Sequence, residues 1–385
     1  MLSFPITAEV RADAIRANIC AIRRRLPSGM PICAAVKASA YGHGIEHVLP
    51  VLAGVGVERI AVANLPEALQ ARELGWNKPI LCLGSVLAAE SERERIERAR
   101  AVLASGLNCT VTTQEEARLL SAEAIRSGHP AHVEVKVDTG MGRTGVRVGE
   151  AQELIASVAA LPGIILEGVY THFATADESD PAFTRTQIER FTALQNALRR
   201  KEVPVQTYHS ANSAAVFRHP EAHLDMVRPG LAVYGYWGGP EGERPDDLVP
   251  AMRVVGRLMV VRRLPANHAV GYGCTFRTTR ESLIGVVPLG YADGYRRSLS
   301  NQAVMTLEAV RGQPRRTVPV VGRISMDQTT VDLTDAGDVR AGDRIVIIDD
   351  DPAAPNSVEA LAGKLGTIPY EITCLLGQRV RRVLI

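Results

Sequence analysis

The chain has 385 residues, more than one typical domain contains, so we expect two domains. Hydrophobic residues make up 46% of it and charged residues 22%, and the net charge of +2 excludes a broad electrostatic attraction to nucleic acid or to an anionic membrane. The six cysteines form no C-x-x-C pair and the first ten residues lack the features of a signal peptide, so a cytoplasmic protein is predicted.

The first 238 residues alternate short β-branched segments with helical ones. A strand is predicted at residues 4–10, and a helix follows Ala12, where Ile15, Ile19 and Ile22 recur at helical spacing. The next eight predicted strands are one that ends at Lys37 and those at residues 60–64, 80–84, 109–113, 132–138, 166–173, 206–212 and 226–235. Helices are predicted between most of them, at residues 66–74, 91–103, 114–126, 151–160 and 186–200. This alternation predicts a parallel (β/α)₈ TIM-like barrel over residues 10–238.

Residues 239–385 form the second predicted domain. It follows a polar segment rich in glycine and proline at residues 238–250, which is typical of a linker. Beyond this linker, segments rich in valine and isoleucine are separated by turns, at residues 254–261, 283–287, 318–321, 329–333, 344–348 and 379–385. They predict a mostly antiparallel β domain, which we expect the strand at residues 1–9 to join.

Two motifs resemble sites of other chemistry. Residues 43–47 read His-Gly-Ile-Glu-His, a zinc-protease pattern, but His43 lies between two glycines, so a turn followed by a helix start is predicted instead of a metal site. Residues 140–145 read Gly-Met-Gly-Arg-Thr-Gly, and Glu167 follows, as in a dinucleotide fingerprint. This motif follows the fifth strand of the repeat rather than the first strand of a doubly wound sheet, so dinucleotide binding is disfavoured.

Catalytic side chains of a (β/α)₈ barrel come from the C-terminal ends of its strands. Residues with suitable chemistry at or near such ends are Lys37, Arg143, His172, Ser213 and Arg228. A lysine at the end of a buried strand is shifted toward its neutral amine, which is nucleophilic. Residues 209–215 offer hydroxyl groups and a helix start suited to a phosphate, and Gly230 permits close backbone approach. A phosphate pocket beside a reactive lysine predicts pyridoxal phosphate (PLP) as the cofactor.

Nine segments spread over nearly the whole chain carry distinctive motifs: residues 35–44, 138–145, 170–177, 209–215, 228–235, 271–273, 290–295, 322–328 and 367–371. In this order they resemble the motifs of the alanine racemase family, which uses PLP to interconvert L- and D-alanine. The resemblance implies a barrel followed by a β domain, in agreement with the pattern of strands and helices. It also implies that the product D-alanine feeds peptidoglycan synthesis.

The resemblance implies two bases. Lys37 carries PLP and is the base for D-alanine, while Tyr272 is the base for L-alanine. Arg143 is expected to contact both Tyr272 and the substrate carboxylate. Lys136 occupies the position that the family often carboxylates on its amine to orient that arginine. Because Tyr272 lies in the β domain and reaches the other subunit's site in the family, a homodimer is expected.

The resemblance also assigns the remaining contacts with cofactor and substrate. Arg228 is expected to face the pyridine nitrogen of PLP, with His172 helping to position it. The positions that match phosphate binding are Tyr41, Ser213, Gly230, Leu231 and Tyr370. Met326 matches the substrate-binding methionine, Tyr291 and Tyr370 match the entrance of the site, and Asp327 beside Met326 is a supporting residue.

Three alternatives remain open at this point. A racemase of the same fold that acts on serine or a larger amino acid is the nearest, although Lys136 favours alanine because some broad-specificity relatives lack it. A PLP-dependent decarboxylase of related architecture requires a different set of motifs in the second domain. A PLP-carrier barrel, which is not an enzyme, has no β domain with a residue such as Tyr272.

Overall fold

The structure is a computed structural model that describes residues 5–240 and 242–385. Phe4, where the predicted N-terminal strand begins, lies with residues 1–3 outside the described residues, as does Glu241 in the predicted linker. Within the two described ranges, no helix is both long enough and apolar enough to cross a membrane.

The first 240 residues alternate strands and helices, as the sequence predicts. Their strands are β1 (Thr7–Val10), β2 (Cys33–Ala35), β3 (Arg59–Val62), β4 (Ile80–Cys82), β5 (Asn108–Val111), β6 (Ala131–Asp138), β7 (Val146–Arg147), β8 (Ile164–Tyr170) and β9 (Thr207–His209). Their helices are α1 (Ala12–Arg23), α2 (Lys37–Tyr41), α3 (Ile45–Gly54), α4 (Leu65–Glu73), α5 (Glu92–Ala104), α6 (Gln114–Ser127), α7 (Val148–Ala159), α8 (Ala182–Arg200) and α9 (Ser213–Arg218).

Parallel strands form the wall of a TIM-like barrel in the order β2-β3-β4-β5-β6-β8-β9, and the short β7 pairs with β6. Side chains alternate between the two faces of a strand. In β6 this alternation places Glu134 and Lys136 on one face, and both side chains are buried inside the ring, where Glu134 bonds to His209 of β9. The barrel interior is therefore partly polar, and its charged side chains reach the end of the barrel where the site lies.

The eighth barrel strand predicted at residues 226–235 is present only as a short segment at residues 227–229, so the predicted length is wrong. The ring closes through a single parallel bridge between Ile32 and Val227. Pro229 has no N–H with which to extend the ladder, and the following residues Leu231–Tyr234 form a 3₁₀ helix. The chain therefore leaves the barrel wall just after Pro229, whose carbonyl still accepts a hydrogen bond from the Ala35 amide at 2.9 Å.

The C-terminal part is mostly antiparallel β structure with two short helices. Its strands are β10 (Met252–Arg257), β11 (Val260–Leu264), β12 (Ala269–Val270), β13 (Phe276–Arg277), β14 (Ser282–Val287), β15 (Val304–Leu307), β16 (Arg316–Pro319), β17 (Thr329–Asp332), β18 (Arg344–Ile348) and β19 (Arg381–Leu384), and its helices are α10 (Val358–Leu365) and α11 (Pro369–Cys374). One sheet has the order β16-β15-β18-β10-β1-β19, a second has the order β11-β14-β17, and β12 pairs with β13.

The N-terminal strand ties the two parts of the chain together. β1 pairs antiparallel with β10 and parallel with β19, so it belongs to the large sheet of the C-terminal part. The single strand predicted at residues 254–261 is wrong, because the chain leaves the large sheet after β10 and joins the second sheet as β11. A continuous apolar core runs through both parts, and α11 packs against α2 at the mouth of the barrel.

Candidate active site

Lys37 begins a left-handed turn that follows the first barrel strand. Residues 38–41 have φ angles of 53°, 51°, 55° and 55°, a region that residues other than glycine rarely occupy. Such a conformation costs about 1–2 kcal/mol per residue and is typical of functional sites. The carboxylate of Glu67, on α4, accepts a hydrogen bond from the Ala38 amide at 2.9 Å and holds the start of the turn. The turn brings Lys37 and Tyr41 to the same cavity.

This cavity has a volume of about 520 Å³ and lies at the C-terminal ends of the barrel strands. Its size is suitable for a cofactor with a small substrate. Ten of the fourteen residues predicted for the site line it: Lys37, Tyr41, Lys136, Arg143, His172, Ser213, Arg228, Gly230, Leu231 and Tyr370. The folded barrel thus brings together residues that are up to 333 positions apart in the sequence.

Two lysine amines in the cavity are shifted toward their neutral forms. Burial, followed by the nearby Arg143 guanidinium, lowers the pKa of Lys37. Burial, Arg143 and Arg228 together lower the pKa of Lys136 to about 8, and its Nζ donates to Thr144 Oγ1 at 2.5 Å. Because the neutral amine is the reactive form, the cavity favours nucleophilic and base chemistry at these lysines.

On one side of the cavity, hydroxyl groups lie beside a glycine backbone. Ser213 Oγ accepts hydrogen bonds from the amides of Gly230 at 2.8 Å and Ala232 at 3.1 Å, which leaves its own proton free to point elsewhere. A Cβ at position 230 would lie 2.3 Å from the Tyr41 hydroxyl oxygen, so glycine is required there. This side therefore combines two hydroxyl donors with a backbone that a ligand can approach closely, which suits a phosphate.

Arg228 is a buried cation in the cavity wall. Its Nη1 donates to His209 Nδ1 at 2.7 Å and its Nη2 donates to the Thr171 carbonyl at 2.6 Å. The guanidinium also lies over the Tyr170 ring, 5.0 Å from its centroid. Burial and the charge of Arg228 hold the pKa of neighbouring His172 well below its usual range, so that imidazole is neutral. Arg228 therefore gives the cavity wall a fixed positive charge. Asp177 is the one acidic residue among the described residues that line the cavity.

Tyr370 is the one predicted residue from the C-terminal part that lines this cavity. It lies on α11, and its ring centroid is 5.7 Å from that of Tyr41. Burial, with smaller effects from Asp177 and Cys374, raises the pKa of Tyr370 to about 12, so it remains a neutral hydroxyl donor. The C-terminal part therefore covers one side of the cavity.

The four remaining predicted residues lie outside this cavity, on the surface of the C-terminal part. Tyr272, Tyr291 and Met326, which we call the exposed loop cluster, have exposed fractions of 71%, 42% and 54%. The loops of Tyr291 and Met326 adjoin, since the Tyr291 amide donates to the Ser325 carbonyl at 3.1 Å. The loop of Tyr272 lies against the same segment, because a Cβ at Gly271 would be 3.2 Å from the Arg323 amide nitrogen. Asp327 accepts a hydrogen bond from Arg379 at 2.9 Å. Within one chain, the base predicted at Tyr272 is therefore not at the lysine's cavity.

The glycine-rich loop at residues 140–145 is folded around a side chain of its own chain. The carboxylate of Asp138 accepts hydrogen bonds from the amides of Gly140, Met141 and Gly142 at 2.8–3.2 Å. A dinucleotide phosphate needs such amides as donors, and here they are already used. Glu167, the acid of the apparent fingerprint, bonds to His132 at 2.6 Å inside the barrel. The loop instead carries Arg143 to the cavity.

The two histidines of the zinc-protease pattern have separate partners. His43 is buried, stacks on Tyr234 with a centroid distance of 4.5 Å, and bonds through Nδ1 to the Ala40 carbonyl at 3.0 Å. His47 lies on α3, and its Nε2 bonds to the Arg382 carbonyl at 3.1 Å. His43 therefore supports the turn after Lys37, whereas His47 joins α3 to β19.

Several residues that support the site were not predicted. Glu67 holds the turn after Lys37, Thr144 bonds to Lys136, and Glu134 bonds to the histidine behind Arg228. One signal was available in the sequence, because Glu134 is a charged residue between two valines of a strand predicted for the barrel wall, and a charged residue buried there needs a partner. The contacts of Glu67 and Thr144 have no comparable local signature.

Comparisons with known proteins agree with this architecture. The family model of the alanine racemase N-terminal domain matches residues 10–237, and that of the C-terminal domain matches residues 251–384. The alanine racemase of Methanococcus maripaludis is 38% identical, with 100% of this chain and 99% of the relative covered. The alanine racemase of Symbiobacterium thermophilum is 40% identical, with 98% and 96% covered.

The fold is likewise similar to that of solved structures. The crystal structure of alanine racemase from D-cycloserine-producing Streptomyces lavendulae superposes with a TM-score of 0.89 at 33% identity, and covers 100% of this chain and 98% of its own. Sequence similarity, both domain models and the superposition therefore extend over essentially the same length. This chain belongs to the alanine racemase family.

Proposed function

We propose that this chain interconverts L-alanine and D-alanine with PLP bound in the barrel cavity, using Lys37 and Tyr272 as bases on opposite faces of the substrate. Racemisation of alanine is the activity for which its family is named. The observation that carries the proposal is the shared cavity: the amine of Lys37, the hydroxyls of Tyr41 and Ser213, and the buried cation Arg228 all line it.

The residues present fit PLP at both ends of the molecule. Ser213 and Tyr41 offer hydroxyl donors beside Gly230, where a side chain would fill the space that a phosphate needs. Leu231 and Tyr370 line the same cavity and complete the proposed phosphate site. When bound, PLP supplies a carbonyl carbon that takes up an amine and a conjugated ring that withdraws electron density from an amino acid Cα.

Lys37 and Arg228 have separate proposed roles toward that cofactor. Lys37 Nζ would hold the cofactor at its carbonyl carbon and would move the proton at the Cα of D-alanine. Arg228 would donate a hydrogen bond to the ring nitrogen and, because a guanidinium keeps its charge, would give that nitrogen no proton. His172, which lies 3.4 Å from Arg228 Nη2, helps to position it. Arg228 would thereby limit the electron withdrawal that the cofactor supplies, which would disfavour side reactions such as transamination.

The substrate end of the site is proposed to involve two subunits. Arg143 holds the substrate carboxylate from within the barrel, and the exposed loop cluster of a second copy supplies Tyr272 and Met326 opposite Lys37. Tyr291 and Tyr370 lie at the entrance, and Asp327 supports Met326 from the same loop. A homodimer explains why Tyr272, at 71% exposed, lies on the surface of a single chain. The D-alanine produced feeds peptidoglycan synthesis in the cytoplasm.

Lys136 is proposed to carry a carboxyl group on its amine that orients Arg143. The neutral amine attacks CO₂, forms an N–C bond and releases one proton. Because the pKa of Lys136 is lowered to about 8, about half of the amine is neutral at pH 8, and the neutral fraction rises through that pH before it levels off about one pH unit higher. At fixed ¹³C-bicarbonate, we expect a protein-bound carbamate ¹³C NMR signal that grows from pH 6 to pH 8. The Lys136→Gln variant serves as the control, and a signal that persists in it contradicts the assignment.

Borohydride reduction of the PLP-loaded protein tests the attachment site. We expect one PLP per chain, bound covalently to the peptide that contains Lys37, because this amine lines the cavity and its pKa is lowered by burial. Peptide mapping by mass spectrometry locates the label, and Lys136→Gln controls for the second lysine in the cavity. A label on any residue other than Lys37, or none, overturns the proposal.

Chiral product analysis with a panel of L-amino acids tests the substrate in the same preparation. L-Alanine is expected to racemise fastest. Faster turnover of serine or of a larger amino acid shows the alternative racemase, and release of CO₂ shows a decarboxylase.

A further inference from the structure

A hydrogen-bonded chain of buried side chains runs from the barrel interior to Arg228. Arg228 Nη1 donates to His209 Nδ1 at 2.7 Å, and His209 Nε2 lies 2.7 Å from Glu134 Oε2. The side chains of His209 and Glu134 have no solvent exposure. On its other oxygen, Glu134 accepts hydrogen bonds from Arg59 at 3.2 Å and from Asn108 at 3.4 Å. Arg228 is the only one of these five residues in the cavity lining.

The partners of His209 determine which of its nitrogens carries the proton. A guanidinium can only donate, so His209 Nδ1, facing Arg228, has to be the unprotonated acceptor. The single proton of the neutral ring is then on Nε2, where it is donated to the Glu134 carboxylate. Burial lowers the pKa of His209 and outweighs the opposing effect of Glu134, which keeps the ring neutral. Tyr170 stacks on one face of the ring, with a centroid distance of 5.0 Å.

Glu134 keeps its charge in this environment. Burial raises the pKa of its carboxyl, but His209, Arg59 and Asn108 together lower it by more. A carboxylate at this position accepts hydrogen bonds on both oxygens, so it satisfies Arg59 and His209 at once. A protonated acid or an amide offers these donors one acceptor oxygen fewer than a carboxylate does.

We propose that Glu134 is a positioning residue that acts through His209: it maintains the Nε2–H form of the imidazole, so that Arg228 is fixed as a hydrogen-bond donor aimed into the cavity. This inference rests on the proposed function in one respect, namely that Arg228 faces the ring nitrogen of PLP. Arg228 is the residue that touches the cofactor, and Glu134 and His209 act behind it. Aiming matters because a displacement of about 1 Å can cost a factor of about 100 in rate.

Glu134→Gln tests the chain of contacts, because one oxygen is replaced by an NH₂ group of the same size. The amide oxygen is expected to stay with the two donors Arg59 and Asn108, so the NH₂ group faces His209 Nε2. Because the NH₂ group donates to Nε2, the imidazole proton moves to Nδ1. There it faces the N–H group of Arg228, so two donors meet and Arg228 is displaced.

Glu167→Gln is the matched control. Glu167 also accepts hydrogen bonds from Arg59 and from Asn108, the latter at 2.5 Å, but its histidine partner is His132. Loss of a carboxylate near Arg59 is therefore common to both variants. Only Glu134→Gln disturbs the contact with His209.

The first measurement is the tautomer of His209, read from long-range ¹⁵N–¹H correlation spectra of ¹⁵N-histidine-labelled protein, with the signal identified by its loss in His209→Asn. We expect Nε2–H in the unsubstituted protein and in Glu167→Gln, and Nδ1–H in Glu134→Gln. The result for the unsubstituted protein depends neither on the cofactor nor on the folding of Glu134→Gln. An Nδ1–H or doubly protonated ring in the unsubstituted protein at pH 7–8 overturns the proposal.

The second measurement is the ratio of transamination to racemisation in the PLP-loaded protein. In transamination the amino group and two electrons of alanine pass to the cofactor, which yields pyruvate and pyridoxamine phosphate without an external oxidant. Glu134→Gln is expected to raise this ratio at least about tenfold, and Glu167→Gln to leave it unchanged. Equal ratios in the two variants overturn the role of Glu134. Failure of PLP to label Lys37 in the unsubstituted protein contradicts the proposed function instead, so the two failures are distinguishable.

Discussion

Removal of the α-proton from L-alanine is expected to slow by about a hundredfold or more when Tyr272 is replaced by Phe. Removal of the proton from D-alanine is expected to slow far less, because Lys37 performs that step on the other face. The measurement is solvent deuterium exchange into each enantiomer, followed by mass spectrometry after chiral separation. In Tyr272→Phe, D-alanine is expected to gain deuterium without inversion, whereas L-alanine gains little.

The matched control for this experiment is Tyr291→Phe. Tyr291 belongs to the same exposed loop cluster, and the change again removes one phenol oxygen. Because its proposed place is the entrance, Tyr291→Phe is expected to affect both enantiomers to a similar extent. Equal losses for the two enantiomers in Tyr272→Phe contradict the two-base scheme.

Hybrid dimers of two inactive variants are expected to regain about half of the unsubstituted activity per dimer. One subunit carries Lys37→Ala and the other carries Tyr272→Phe. If each site combines Lys37 of one chain with Tyr272 of the partner subunit, one of the two sites in the hybrid has both bases and the other has neither. The structural reason is that Tyr272 lies on the surface of its own chain, away from the cavity that contains Lys37.

Co-expression with two affinity tags and tandem purification isolates this hybrid, and the rate of D-alanine formation is then measured. Preparations of each variant alone provide the baseline. If both bases came from one chain, every site of the hybrid would lack one of them, so activity at the baseline refutes sharing between subunits. The hybrid dimer thus separates a shared site from a dimer that merely holds two complete sites.

Much of the barrel could be predicted from local pattern. The helix predicted at residues 114–126 is α6, Gln114–Ser127, because a capping box at Thr113 and Glu116 begins it and Gly128 ends it. The strand predicted at residues 344–348 is β18 at the same bounds. Such elements are determined locally. Cap residues set the ends of the helix, and a short β-branched segment forms the strand.

The errors occur where backbone pairing depends on distant residues. Residues 226–235 are apolar enough for a strand, but Pro229 and the 3₁₀ helix that follows bring Gly230 and Leu231 to the cavity. Residues 254–261 read as one strand, yet they join two different sheets. Pro229 is a signal within residues 226–235 that the prediction of a strand did not take into account. The division of residues 254–261 between two sheets is decided instead by hydrogen-bond partners remote in the sequence.

The candidate site likewise combines features that were predicted from the sequence with features that depend on the tertiary structure. Residue type and spacing were sufficient to predict the alternating barrel, the order of the family motifs and the position of Lys37 at the end of the first barrel strand. Only the tertiary structure decided that Tyr370 closes the cavity, that Asp138 uses the amides of the glycine-rich loop, and that Tyr272 is exposed on its own chain. It also decided that His209 links Glu134 to Arg228 by hydrogen bonds. These features depend on distances between residues remote in the sequence, and such distances exist only once the apolar core has packed the strands together.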